Sequence, residues 1–364
     1  MKLTEKAYVI LVNWRNPYDT IECIESLLNQ NYPAYQIVVC ENGSADSSLE
    51  IFKAWASGNL CIAPNKNSPG ARYAQQPPER SSPEAEFVQA IKVENTYTVP
   101  LPSTAQVNSK VIFIEIPENT GFAGGNNVGL RYALANNDGQ YFWVLNNDTV
   151  VAPDALMHLV KKTKINPSYA MVGATVYHYD QPTQIQYSCG ATANRWLATV
   201  RPVIEYPVGE AEDAIRHLED FVEKQVSYVV GASMLLTRDF LKKVGLISED
   251  YFLYYEEQDW VARMPKEMKI GYSSLARVYH KEGASIGAKT VSKVRKSRTA
   301  EYYSSRSRVI YTKRFYYPAL IFVICALLGG MLNRARNGYW SNIFYMAAGM
   351  LCGLKSSCVA FPKI

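Results

Sequence analysis

Four short apolar runs, AYVILVNW, QIVVC, VIFIEIP and YFWVL, recur through the first part of the chain, none alternating as a half-wet strand would. A continuous apolar run suits a strand buried on both faces, the condition of a parallel sheet covered by helices. Helical patterns separate the runs. Asp19 or Thr20 can cap a segment whose apolar face is Ile21, Ile24, Leu27 and Leu28, and SLEIFKAWA and NNVGLRYALAN follow in turn. Strands alternating with helices predict a Rossmann-like α/β fold, and 364 residues are ample for its core.

Residues 60–109 interrupt this order. They are rich in Pro, Ser, Asn and Gln, and read as an insertion. Beyond Asp148 the pattern turns to short mixed strands, with helices expected at RDFLKKVG and EEQDWVARM and no linker between the halves. We therefore expect a catalytic domain over 1–287 and a basic, apolar helical region over 288–364. The seven cysteines are scattered without metal-ligand spacing, and the chain opens directly into a strand. Both features predict a reducing, cytoplasmic setting.

Ligands of open α/β sheets bind beyond the carboxyl ends of the strands, so the residues there are the candidates for chemistry. The second run ends in Glu41, Asn42, Gly43 and Ser44, suited to a ribose or base edge; the alternative is a turn capped by Ser44 or Asp46. The third ends in PENTGFAGGNNVGL, where Gly121, Gly124 and Gly125 before a helix can bring backbone N–H groups to an anion. The fourth ends in Asn146, Asn147 and Asp148, a surface turn or a ligand site. If residues 254–264 are helical, Glu256, Asp259, Trp260 and Arg263 share one face and Glu257 points about 100° away from Glu256.

Taken in order, VILVNW, VCENGS, ENTGFAGGNNVGL, VLNNDTVV, GASMLL and FLYYEEQDWVAR resemble the family-two inverting glycosyltransferases, in particular a bacterial rhamnosyltransferase-like branch. The resemblance implies a type A nucleotide-diphospho-sugar transferase fold with Mg²⁺ or Mn²⁺ on the donor diphosphate. Asp148 matches the last acid of the family's Asp-x-Asp motif, with Asn146 in place of the first, and His280 matches a position that completes the metal site in some relatives. One protein carboxylate suffices where diphosphate oxygens supply the rest. Donor contacts are implied at Asn13, Glu41, Asn42, Asn119, Gly121, Gly124, Asn126 and Asn147, with Glu41 standing where relatives carry Asp. Glu257 takes the place of the catalytic base and Asp259 supports it. Glu256 and Trp260 are expected to meet the acceptor.

The net charge of +5 is uneven: nine basic residues and one acid, Glu301, lie between Ala288 and Phe315, leaving −3 elsewhere. Two apolar segments follow, the first running from Pro318 to Leu332, about 15 residues against the roughly 20 that span a bilayer. With Tyr316, Tyr317, Tyr339 and Trp340 at their borders, they read as attachment to an anionic membrane surface, peripheral or monotopic on the cytoplasmic face. No nucleic-acid partner is expected. The sequence thus predicts transfer of rhamnose or another hexose from a nucleotide-diphosphate sugar to a lipid-linked saccharide in cell-surface polysaccharide synthesis. The alternatives are a non-catalytic nucleotide-sugar-binding membrane scaffold or a sugar-nucleotidyltransferase. The latter would want a basic glycine-rich signature near the start, which VNWRNPYDT does not provide.

Overall fold

The computed structural model describes residues 4–62, 84–100, 109–204, 218–281 and 296–355. The chain opens with β1 (Lys6–Asn13), α1 (Pro17–Leu28), β2 (Tyr35–Asn42) and α2 (Ser48–Ala56). Strand β3 (Ala85–Gln89) and a hairpin, β4 (Ile91–Val93) and β5 (Thr96–Thr98), precede β6 (Val111–Ile116), α3 (Gly121–Ala135) and β7 (Gly139–Leu145). Then come β8 (Thr149–Val151), α4 (Ala155–Ile165), β9 (Tyr169–His178), β10 (Ile185–Ser188), β11 (Gly190–Asn194) and β12 (Thr199–Pro202). Helix α5 (Glu219–Gln225), β13 (Tyr228–Val229), β14 (Ser233–Thr237), α6 (Arg238–Val244), α7 (Glu256–Ala262) and β15 (Lys269–His280) complete the α/β part. Three helices follow: α8 (Arg298–Phe315), α9 (Leu320–Arg336) and α10 (Trp340–Lys355).

A ten-stranded sheet runs β3-β6-β2-β1-β7-β14-β9-β15-β8, with β10 paired to β9. The stretch β3 to β7 is parallel, and β14 enters antiparallel between β7 and β9. Strand period divides the core in two: Tyr8 and Ile10 of β1 face one layer, and Ala7, Val9 and Leu11 the other. The strand order reverses between β1 and β7, which opens a crevice at their carboxyl ends. Asn13 and the Asn146–Asp148 turn lie at that point.

Local chemistry shifts some expected boundaries. Helix α1 begins at Pro17 with Asn16 as its cap residue, because proline's fixed φ suits the first helical position, so Asp19 lies in the first turn. The glycine-rich segment forms the first turns of α3 rather than a loop before it, and a Cβ on Gly129 would come within 2.6 Å of Ile10 and 3.0 Å of Cys40. Within the 60–109 insertion, β3 adds an edge strand parallel to β6, and Phe87 stacks on Phe113 at 4.7 Å.

The C-terminal helices pack on the α/β part and on each other. In α10 the sequence GMLCG places Gly349 and Gly353 on one face, where a Cβ would meet the backbone carbonyl oxygens of Tyr302 at 2.2 Å and Arg306 at 2.7 Å. Small residues four apart let two helix backbones touch, here α8 and α10. Helix α9 buries only Val323, Leu327 and Met331, and leaves Ile321, Phe322, Leu328 and Leu332 exposed. With the turn before it, the helical stretch Tyr317–Arg336 is 20 residues, long and apolar enough to cross a membrane, which corrects the shorter length read from the sequence.

The basic block also differs from its expected use. Arg306 donates to the Asp250 carbonyl at 2.8 Å, Arg308 to Leu197 at 2.9 Å and Lys313 to Leu354 at 2.7 Å, while Arg314 bonds Asp250 and Asp259. These cations hold the chain together, since a charge count in sequence carries no direction. Lys289 and Lys293 and Arg295 lie outside the described residues.

Gly349→Ala should therefore lower stability by about 1–3 kcal/mol, because a backbone carbonyl cannot move aside as a flexible side chain can. Thermal melting of the variant against the parent chain checks it; an unchanged midpoint would contradict the close α8–α10 crossing.

Candidate active site

Antiparallel pairing of β8 with β15 sets Thr149 opposite His280 and so brings the preceding residue, Asp148, beside that imidazole. His280 Nε2 lies 3.2 Å from Asp148 Oδ1 and 3.3 Å from Asn146 Nδ2. Its Nδ1 is 2.9 Å from Gln186 Oε1, and a carbonyl oxygen only accepts, so Nδ1 carries a proton. The lone pair of a neutral ring then faces the carboxylate, an arrangement that a shared cation satisfies. The Gln186 contact fixes the tautomer as outer partners of metal-binding histidines do. Burial alone would raise the Asp148 pKa, but the positive ring that His280 presents when protonated outweighs it and holds the carboxyl below its usual range, a place that a cation shared with the neutral ring would take over. This donor set fits a hard divalent ion with places left for other oxygens. Among the described residues no cluster of three or more acids, histidines or cysteines offers an alternative.

A buried chain of hydrogen bonds links the other strand ends. Asn147 donates to the Thr20 hydroxyl at 2.8 Å, Thr20 to Asn13 Oδ1 at 2.8 Å, and Asn13 to the Ser44 hydroxyl at 3.4 Å. Ser44 in turn donates its N–H to Glu41 Oε1 at 3.0 Å, and burial pushes the Glu41 carboxyl above its ordinary pKa. Asn13, Glu41 and Asn147 thus share one floor under the crevice.

The remaining donor candidates divide by what their atoms already do. Asn42 donates to Asn119 Oδ1 and the Gly121 carbonyl, and its oxygen accepts from the N–H and hydroxyl of Thr120. Its capacity is full, so Asn42 works as a strut that positions Asn119 and the start of α3. Gly121 has φ +75° and lies against Phe252, while Gly124 sits inside α3 against Thr120, so packing accounts for both. Asn126 donates to the Phe122 carbonyl and leaves a buried oxygen without a partner.

Helix α7 follows two residues, Tyr254 and Tyr255, that both hold φ at 69°, a conformation costly for side chains of this size. The strain aims the carboxylates at its start. Glu257 is half-buried and accepts from Gly231 N at 3.2 Å, and burial raises its pKa. Glu256 is 3% exposed, with one oxygen unpartnered and its pKa raised well above the usual range by burial and then by the Glu257 charge. The shared face expected for Glu256, Asp259, Trp260 and Arg263 is the inward one.

That orientation corrects the acceptor role expected of Trp260 and gives Asp259 a supporting one through Arg263. Trp260 is fully buried, bonded to the Gly245 carbonyl at 3.0 Å and edge-on to Phe240, so it is a core residue with no surface for an acceptor. Asp259 is also fully buried, and both oxygens are taken, by Arg263 at 2.7 Å and by Arg314 at 2.8 Å. It anchors α7 to α8 and touches no open space. Gln186, Gly231, Thr20 and Arg314 carry no sequence signal for the site and reach it only through tertiary contacts.

The profile described as Glycosyl transferase family 2 matches residues 8–77 and 100–245. The chain belongs to that family. A low-salt glycan biosynthesis hexosyltransferase from Haloferax volcanii is 25% identical over 173 residues, 47% of this chain and 52% of the relative. The chain therefore spans about half the length of that curated relative. Mannosyltransferase PcManGT from Pyrobaculum calidifontis, solved in complex with GDP-Man and Mn²⁺, shares the fold with a TM-score of 0.50 at 13% identity. That likeness covers 97% of this chain and 88% of the mannosyltransferase. The fold is accordingly the type A glycosyltransferase fold, with an apolar helix near its C-terminus.

The raised Glu256 pKa has a testable sign. A buried carboxyl whose folded pKa exceeds the unfolded value costs stability as pH rises from the unfolded pKa toward the folded one. Glu256→Gln should melt above the parent chain near pH 7, with the gap closing toward about pH 4. Melting curves across that range check it; a variant that melts lower at neutral pH would show that the carboxylate has a stabilising partner.

Proposed function

We propose that the chain is an inverting, metal-dependent hexosyltransferase that moves a sugar from a nucleotide-diphosphate donor to a lipid-linked saccharide in cell-surface polysaccharide synthesis. The observation that carries this reading is a two-residue turn. Ala232 accepts from Asn146 N at 3.2 Å, and the preceding Gly231 donates to Glu257. Adjacent residues lie about 3.8 Å apart, so the metal-motif turn and the base are held by neighbouring peptide groups.

In this reading Glu257 takes the proton of the acceptor hydroxyl, and the oxygen attacks the anomeric carbon from the face opposite the diphosphate, which leaves as the nucleoside diphosphate. The raised pKa of Glu257 suits a general base. Asp148 and His280 would hold Mg²⁺ or Mn²⁺, whose charge stabilises the departing diphosphate. Asn13, Glu41 and Asn147 line the donor side, and Glu256 lies buried beside the base, its own ionisation opposed by burial and by the Glu257 charge. Rhamnose fits the branch that the motifs resemble, and other hexoses share the same chemistry. The exposed apolar face of α9, with Tyr317 and Trp340 exposed at its ends, supports one-sided attachment to the cytoplasmic membrane face, where nucleotide donors are made.

Glu257→Gln keeps size and loses the basic oxygen. It should retain donor affinity while transfer falls about 10²–10⁴-fold. Loss of donor affinity together with transfer would place Glu257 on the donor instead. Asp148→Ala should abolish the gain in nucleotide-diphosphate affinity that Mn²⁺ produces; calorimetry with and without the ion measures it, and an unchanged gain removes Asp148 from the metal site.

A further inference from the structure

A cavity of about 260 Å³ lies between the β11–β12 hairpin, α7 and α8, lined among others by Arg195, Tyr228, Tyr255, Gln258, Tyr311 and Tyr316. It adjoins the base: Gln258 is the next residue after Glu257, and the buried Tyr228 phenol is held protonated by burial and by the Glu257 charge. Four aromatic rings with a few amide and hydroxyl groups make a lining suited to a ligand that has both C–H faces and hydroxyls. The volume is below the roughly 300–1,000 Å³ of sites for drug-sized ligands, so the cavity takes one ring rather than an oligosaccharide.

The hairpin that forms its rim is firmly held. Asn194 Oδ1 accepts from Trp196 N at 2.9 Å and Leu197 N at 3.1 Å, Tyr255 donates to the Ala198 carbonyl at 2.5 Å, and Arg308 donates to Leu197. This bracing keeps Trp196 turned outward, 51% exposed, with its ring 5.7 Å from that of Phe322 on α9. Trp196 and Val200 of the hairpin with Ile321 and Phe322 of α9 form an exposed apolar shelf, and Val200 also lines the cavity. Exposed Arg195 makes no ion pair among the described residues, and no acid occurs from Tyr302 to the C-terminus.

We infer that this cavity and shelf form one binding site for a phosphate-linked lipid saccharide: the pyranose enters between the tyrosines, its phosphate meets Arg195, and its apolar chain lies over Trp196 and Phe322. The inference rests on the glycosyl-transfer reading and assigns the acceptor's place in it. The continuity of cavity, cation and apolar shelf selects this occupant over a free sugar or a bare membrane.

The test is calorimetry on the full chain with three probes: a synthetic farnesyl-diphosphate-linked glucose, farnesyl diphosphate and glucose 1-phosphate. The linked probe should bind tighter than either half, and Arg195→Ala, Trp196→Ala and Tyr316→Leu should each weaken it about tenfold. Affinity for uridine diphosphate with Mn²⁺ should stay unchanged in all three variants. Equal binding of the linked probe by parent and variants overturns the site, as does equal binding of farnesyl diphosphate alone, which would leave only an apolar patch. Absence of any metal-dependent nucleotide binding would instead overturn the glycosyl-transfer reading while lipid-saccharide binding stands.

Discussion

The Gly231–Ala232 turn joins the two halves of the molecule. Its N–H groups and carbonyls reach Glu257 on one side and Asn146 on the other, and Val230 N bonds Cys189 at 3.2 Å behind it. A Cβ at Gly231 would lie 2.6 Å from Glu257 Oε1, so only glycine lets the carboxylate approach the backbone that holds it. The parallel half supplies the crevice at the strand ends, the mixed half supplies Glu257, and this turn sets their separation.

Around it, the protein accepts local cost for placement. Two consecutive tyrosines in the left-handed region and two adjacent carboxylates, one buried and one half-buried, both oppose folding. Asp259 offsets them by anchoring α7 to Arg314 of α8, and α10 closes over α8 through Gly349 and Gly353. The C-terminal helices are therefore packed into the same body as α7. Removing the chain beyond Phe315 would uncover Tyr302, Tyr303 and Val309, so the domain division near residue 287 describes composition better than packing.

Much of the fold was legible because the signals are local. Buried parallel strands need unbroken apolar runs, and the elements from β1 to β7 follow from them in order. In the candidate site, strand ends marked Asn13, Glu41, Asn147 and Asp148, while Glu257, on a helix, and His280 were picked out by the motif resemblance. Trp260 was misread because helical spacing shows which residues share a face but not which way that face turns, whereas the supporting place expected of Asp259 holds through its pair with Arg263. Within the basic block the same limit applies: Arg306 and Arg308 bond backbone carbonyls and Arg314 bonds Asp250 and Asp259, partners that a charge count does not reveal.

The sequence by itself determined the α/β alternation, the polar strand ends and the apolar C-terminal helices, since backbone periodicity and burial act over a few residues. Only the tertiary structure decided that His280 meets Asp148, that Glu257 rests on Gly231 and that Arg314 closes on Asp259. Each of those contacts joins segments far apart in the chain, and their direction depends on how whole elements pack, which no short-range pattern encodes.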